Sequence, residues 1–101
     1  SLRIEESRLL TCSFLNLEIP EIVIRKSSFS ECLIKGCSFK HGDFSGNTFA
    51  NTQIASCNLE AADFQGSCGF SLDPRDSNVK NAVFSADGAL ALLEPFGIRI
   101  V

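Results

Sequence analysis

The sequence predicts an all-β solenoid, a chain that winds steadily in one direction from five-residue units, and three observations predict it. From Ile24 to Phe64 an Ile, Leu or Phe returns at every fifth residue: Ile24, Phe29, Ile34, Phe39, Phe44, Phe49, Ile54, Leu59, Phe64. A period of five matches neither the 3.6 of an amphipathic helix nor the 2 of a half-buried strand, so the repeat is itself the architecture. Two residues before each centre the side chain is mostly small, and two residues after it stand residues that tolerate positive φ.

The register extends backwards through Ile4, Leu9, Phe14 and Ile19, which gives thirteen centres between Leu2 and Gly66. The small positions are Ser7, Cys12, Ser27, Cys32, Cys37, Gly42, Thr52, Cys57 and Ala62, with Leu2, Leu17, Ile22 and Asn47 as larger exceptions. Each unit therefore points one bulky and one small side chain inward. Two residues past the centres stand Gly36, Gly46, Gly66, Asn16, Asn51 and His41, the third position of a type II turn, and Pro20 suits the second. A unit is thus a short extended piece followed by a corner.

After Gly66 the register breaks, because Gly69 and Pro74 fall where centres belong. Residues 67–76 read as a loop interrupting the solenoid of residues 2–84, and the stretch from Ser77 to Phe84 resumes the motif in phase. Residues 85–101 form a separate C-terminal element. Ser85 suits an N-cap, Asp87 the first turn, and Leu90, Leu93 and Phe96 share one face, so a helix is expected over 86–94, ended by Pro95 and Gly97. The alternating tail Ile98-Arg99-Ile100-Val101 suits one last strand.

With 101 residues and 45% hydrophobic content, the chain makes one globular domain. Its net charge of −3 is unevenly spread: residues 1–41 carry six Lys/Arg and five Asp/Glu, residues 42–101 three and seven. An acidic C-terminal half argues against direct nucleic-acid binding, which needs clustered Lys and Arg. No apolar run suffices to cross a bilayer, and the first residues lack a signal-peptide layout, so a soluble cytoplasmic protein without membrane contact is expected. A first residue of Ser rather than Met leaves room for earlier coils.

Ala62-Asp63-Phe64-Gln65-Gly66, Cys57-Asn58-Leu59-Glu60-Ala61 and Cys37-Ser38-Phe39-Lys40-His41 resemble the A(D/N)Lxx unit of the pentapeptide-repeat proteins. The resemblance implies a right-handed quadrilateral β-helix of about four coils, with four units per coil. Residues twenty apart then stack roughly 4.8 Å from one another, as neighbouring strands do. Lys40 with Glu60, and Glu6 with Lys26, become opposite-charge neighbours on that stacking. The ending, Leu72-Asp73-Pro74, then Asn78 with Ala82 and Phe84, then a Leu-rich helix with Pro95-Phe96-Gly97-Ile98, resembles the closure of Qnr-like members. That closure implies a homodimer, with Leu90, Leu92, Leu93, Phe96, Ile98 and Ile100 as its candidate interface. On the residues alone the helix equally serves to cover the solenoid's open end.

No catalytic, metal or cofactor site is expected. Cys12 and Cys32, like Cys37 and Cys57, are twenty apart at the small inward position and suit buried reduced thiols, while Cys68 lies out of register and accessible. His41 is the single histidine and already has a turn role. Asp43 and Asp63 stack on the outer surface with no basic residue at that position of their column, but acid/base chemistry needs a cleft, whereas a solenoid is convex. Leu10, Leu15, Val23 and Leu33 are apolar where other units carry polar residues, and suit a partner surface or a place covered by an earlier segment. The expected function is a protein–protein interaction module, self-associating through its C-terminal element. The alternative is a DNA-mimicking binder of DNA gyrase and topoisomerase IV, as Qnr-like proteins are, with Asp43 and Asp63 on its acidic surface.

Overall fold

The computed structural model describes residues 2–101. The first coil carries β1 (Arg3–Glu5), β2 (Arg8–Leu10) and β3 (Ser13–Leu15), and the second β4 (Val23–Arg25), β5 (Ser28–Ser30) and β6 (Leu33–Lys35). The third carries β7 (Thr48–Ala50) and β8 (Gln53–Ala55), the fourth β9 (Asp63–Phe64) and β10 (Ser71–Leu72), and β11 (Val83–Phe84) begins a fifth. All pairings are parallel. Ile4 pairs with Ile24, Leu9 with Phe29 and Phe29 with Phe49, Phe14 with Ile34 and Ile34 with Ile54, so residues twenty apart do stack. The fourth face is joined by the bridges Glu18–Ser38–Asn58–Asn78. The result is a quadrilateral β-helix of about four coils.

Every described residue two past a centre from Glu6 to Gly66 has positive φ, including Glu6, Thr11, Glu21, Lys26 and Glu31, which have no preference for it. Stacking imposes the corner, because the amide of that residue donates to the coil above: Glu6 N–H to Arg25 O, Thr11 N–H to Ser30 O, Asn16 N–H to Lys35 O.

The small inward position proves to be a hydrogen-bonding ladder. The amides of Ser27, Asn47 and Cys57 donate to the side chains of Asn47, Ser67 and Ser77, each one coil above. At Gly42, Ala62, Ser67 and Ala82 the amide closes a turn onto the carbonyl of Phe39, Leu59, Phe64 or Val79 instead. Above Gly42 and Ala62 stand Ala62 and Ala82, whose methyl groups offer the amide below no acceptor. Asn47, fully buried, also donates to Ile24 O and Phe44 O, and no buried side-chain N or O among the described residues lacks a partner.

The core is a stack of aromatic columns. Phe44 lies over Phe64 at 5.1 Å, Phe64 over Phe84 at 5.1 Å, and Phe29 over Phe49 at 4.6 Å, each pair stacked. The register does break at Gly69, whose φ of +86° re-aims the chain. The interrupted stretch nonetheless supplies core: Phe70 fills the space beside Phe49 and Phe64, and Leu72 pairs with Ile54, eighteen residues earlier. The turn before Ser77 restores the count, so Asn78 pairs with Asn58.

Four expectations need correction. Among the described residues no ion pair joins Lys40 to Glu60 or Glu6 to Lys26; the pair that forms is Arg25–Glu5 at 2.6 Å. Glu5 and Arg25 lie directly opposite on flat strands, whereas Glu6 and Lys26 sit at left-handed corners. The C-terminal helix is also longer and tighter than expected. Helix α1 (Ala86–Ala89) passes into a 3₁₀ helix, Leu90–Phe96, that contains Pro95 and ends at Gly97 in the left-handed region. The tail after it forms no strand. Ser85 makes no side-chain cap, because its hydroxyl accepts the amide of Gly66.

Candidate functional site: the C-terminal end

The solenoid's last coil is closed by the helix, and glycine sets how closely. Gly88 is buried, and a Cβ there would lie 2.6 Å from Ser67 O, so only glycine lets α1 reach the coil. Ala91 and Leu92 pack against the core beneath. Leu92 therefore serves as the cap. A 3₁₀ helix aligns residues three apart, so Leu90, Leu93 and Phe96 form one stripe. Leu93 is half-buried, while Leu90 and Phe96 are 45% and 47% exposed. Ile98 and Ile100 are exposed as well, and together with Leu90 and Glu94 they line a shallow cleft.

Arg75 fastens this end to the last coil, a role the sequence did not announce. Its guanidinium pairs with Asp73, donates to Pro95 O at 3.1 Å and lies 4.4 Å from the Phe96 ring centroid. Asp73 is held below the usual carboxylate range, first by this hydrogen bond. Replacing Arg75 with Ala is expected to raise amide exchange across residues 90–97 several-fold while leaving the core strands protected, as local opening does. Equal loosening of β5 and β7 would contradict a local role.

The acidic surface is less free than the charge count suggests. Asp43 does have a basic neighbour: Arg25 reaches it at 3.6 Å from the adjacent coil, and it also accepts from the amide and hydroxyl of Ser45. Arg3, Glu5, Arg25 and Asp43 form one balanced row. Glu5 is held below its ordinary range by Arg25 and then Arg3, so its small contribution is present above the unfolded value and fades as pH falls through the folded one. Asp63 accepts its own turn's amide from Gln65, and Asp76 accepts from Ser56.

The apolar set named at the other end is not one patch. Leu10 and Leu15, 59% and 49% exposed, end β2 and β3 on successive faces, and Leu33 lies beside Leu15's strand on the second coil. Val23 pairs with Arg3 and Asp43 on a different face, and the structure does not bring it to the others.

Cys12, Cys32, Cys37, Cys57 and Cys68 are all thiols, the first only partly buried and the last exposed. Burial pushes the Cys57 thiol up, away from reactivity. His41 occupies an exposed corner, its amide bonded to Glu60 O. Among the described residues no group of three His, Cys, Asp or Glu could hold a metal, and no helix is long and apolar enough to cross a membrane.

No family model matches the sequence, and no curated protein matches it. Two solved structures of trypsin-treated variants of QnrB1, a plasmid-mediated fluoroquinolone resistance protein, are similar to it. Their TM-scores are 0.75 and 0.73, each at 20% identity, over 97% and 93% of this chain. The match spans 47% and 45% of those chains, so this chain has about half their length. At this identity the likeness is one of fold, and the fold is the pentapeptide-repeat β-helix of QnrB1.

Proposed function

We propose that this chain is a non-catalytic interaction module whose C-terminal end docks onto another protein, a second copy of itself. The observation that carries the proposal is the division of labour in residues 85–101. Gly88, Ala91 and Leu92 already close the solenoid, yet Leu90, Phe96, Ile98 and Ile100 stay exposed beyond what closure requires. A cap alone has no use for a second apolar face. Two such ends meeting form an isologous contact, in which each copy offers the same surface. The free thiols suit a reducing cytoplasm. The test is the solution mass of the full chain beside a Leu90→Asp/Ile100→Asp variant. Loss of one association step supports the proposal, and an unchanged mass overturns it.

A second reading is DNA mimicry toward DNA gyrase or topoisomerase IV. It is favoured by the likeness of fold to a fluoroquinolone resistance protein and by the acidic C-terminal half. One copy, 39 Å long, matches about eleven base pairs at roughly 3.4 Å each, and two copies end to end match about twice that. Against it stand the net charge of −3 and the neutralisation of Asp43 by Arg25. A supercoiling assay with quinolone separates the readings: protection of gyrase supports mimicry, and no effect leaves the interaction module.

A further inference from the structure

The break in the repeat at Gly69 does more than redirect the chain: together with the helix that follows, it leaves a groove on the side of the rod. We propose that this groove, between the helical element and the face of β8 and β10, binds an extended peptide segment that carries two basic side chains four residues apart.

Two cavities of about 500 and 340 Å³ make up the groove, and they adjoin, because Gln53, Ser71, Ala91 and Glu94 line both. Each falls within the range of ligand-binding clefts, roughly 300–1,000 Å³. One side is the outward surface of β8 and β10, where Gln53 pairs with Ser71 and both are exposed. The other is the helical element, which lies where a further strand would follow β10, the last strand of its sheet.

The groove also holds an amide that the protein leaves without an acceptor. From Glu6 to Gly66 the amide two past each centre donates to the coil above, to a carbonyl or, at Ser56 and Gly66, to the side chains of Asp76 and Ser85. Asn51 is the exception. No described residue accepts its amide, and Asn51 lines the larger cavity. Its φ of +46° is that of Thr11 and Glu31 in the same column, whose amides donate along the rod to Ser30 O and Ala50 O. The carbonyl that would continue the column belongs to the stretch that Gly69 re-aims. A peptide carbonyl in the groove completes this interrupted ladder, as in strand addition.

The charge of the groove selects the occupant. No Lys or Arg lines either cavity, whereas Asp87 and Glu94 stand along the helical side. Asp73 is already taken by Arg75, and Asp76 by Ser56, but no described side chain pairs with Asp87 or Glu94. Three steps at the α-helical rise of 1.5 Å and four at about 2.0 Å set these two carboxylates roughly 12 Å apart along the helix. An extended chain covers about 13 Å in four residues and points the first and fifth to the same side. Basic side chains there meet both carboxylates, and the residue midway between them passes the methyl group of Ala91. Neutral and acidic segments lack that complementarity.

Fluorescence anisotropy of the full chain with the labelled peptide Gly-Arg-Ser-Ala-Ser-Arg-Gly, beside a control peptide with its two Arg adjacent, tests the proposal. The spaced peptide should bind about tenfold more tightly than the control, and Asp87→Asn and Glu94→Gln should each weaken it by about tenfold. Both residues are exposed, so neither change threatens the fold. Asp63→Asn removes an equal charge from another face and should leave binding unchanged. Asp87→Lys/Glu94→Lys should transfer the preference to the same peptide with Glu in place of Arg. No binding of the spaced peptide, equal binding of the control, or an equal loss in Asp63→Asn overturns the proposal.

Discussion

Replacing Phe64 with Ala is expected to lower the stability of the fold by about 3–5 kcal/mol, the largest effect of any single core truncation here. Phe64 is 1% exposed and stacks between Phe44 and Phe84, with Phe49 and Phe70 against its sides, so its removal opens a cavity that four rings cannot close. Domains of this size have roughly 5–15 kcal/mol in total, so the loss is a large share of it. Denaturant unfolding should show a lower midpoint at nearly constant slope. Phe14→Ala is the control: Phe14 is half-buried in the first coil and should cost clearly less. Equal losses at the two positions would mean that the aromatic column is not the centre of the core.

Asn47→Leu should cost about 2–5 kcal/mol although it makes the interior more apolar, because it strands several buried partners at once. The Ser27 amide loses its acceptor, and the carbonyls of Ile24 and Phe44 lose a donor. Asn47→Ser should be milder, since Ser27 and Ser67 hold the same place in neighbouring coils and accept the amide below through their hydroxyls. Thermal unfolding of the two variants checks the order. A Leu variant as stable as the Ser variant would show that the ladder contributes packing and not hydrogen bonding.

The solenoid was legible because its code is local. One centre and one small residue in every five dictate the inward face, and Gly or Asn at some corners reveal the turn. The remaining corners were not legible one by one: Glu6, Thr11 and Lys26 take positive φ because the stacked coils demand it. Phe70 and Leu72 were missed as core because each lies off the expected position, and only the backbone reversal at Gly69 brings them inward. In the C-terminal element the spacing of three between Leu90, Leu93 and Phe96 pointed to a helix, but their separation is the 3₁₀ period, which places Leu92 on the core side. The Arg75 clasp joins residues twenty apart through a backbone carbonyl and an aromatic face, contacts that no local pattern encodes. Charge counting misled at Asp43, where the balancing Arg25 comes from the coil before it.

Cys68 offers a direct view of the C-terminal contact. It is the exposed thiol, and it pairs with Thr48 in the last full coil, the coil that the helix closes. Energy transfer between donor- and acceptor-labelled copies at Cys68, in a Cys12→Ser chain, therefore reports two C-terminal ends coming together. High transfer that disappears in the Leu90→Asp/Ile100→Asp variant is the predicted result. No transfer at concentrations where the chain is associated, or transfer that survives both substitutions, would contradict the assignment of this end as the docking surface.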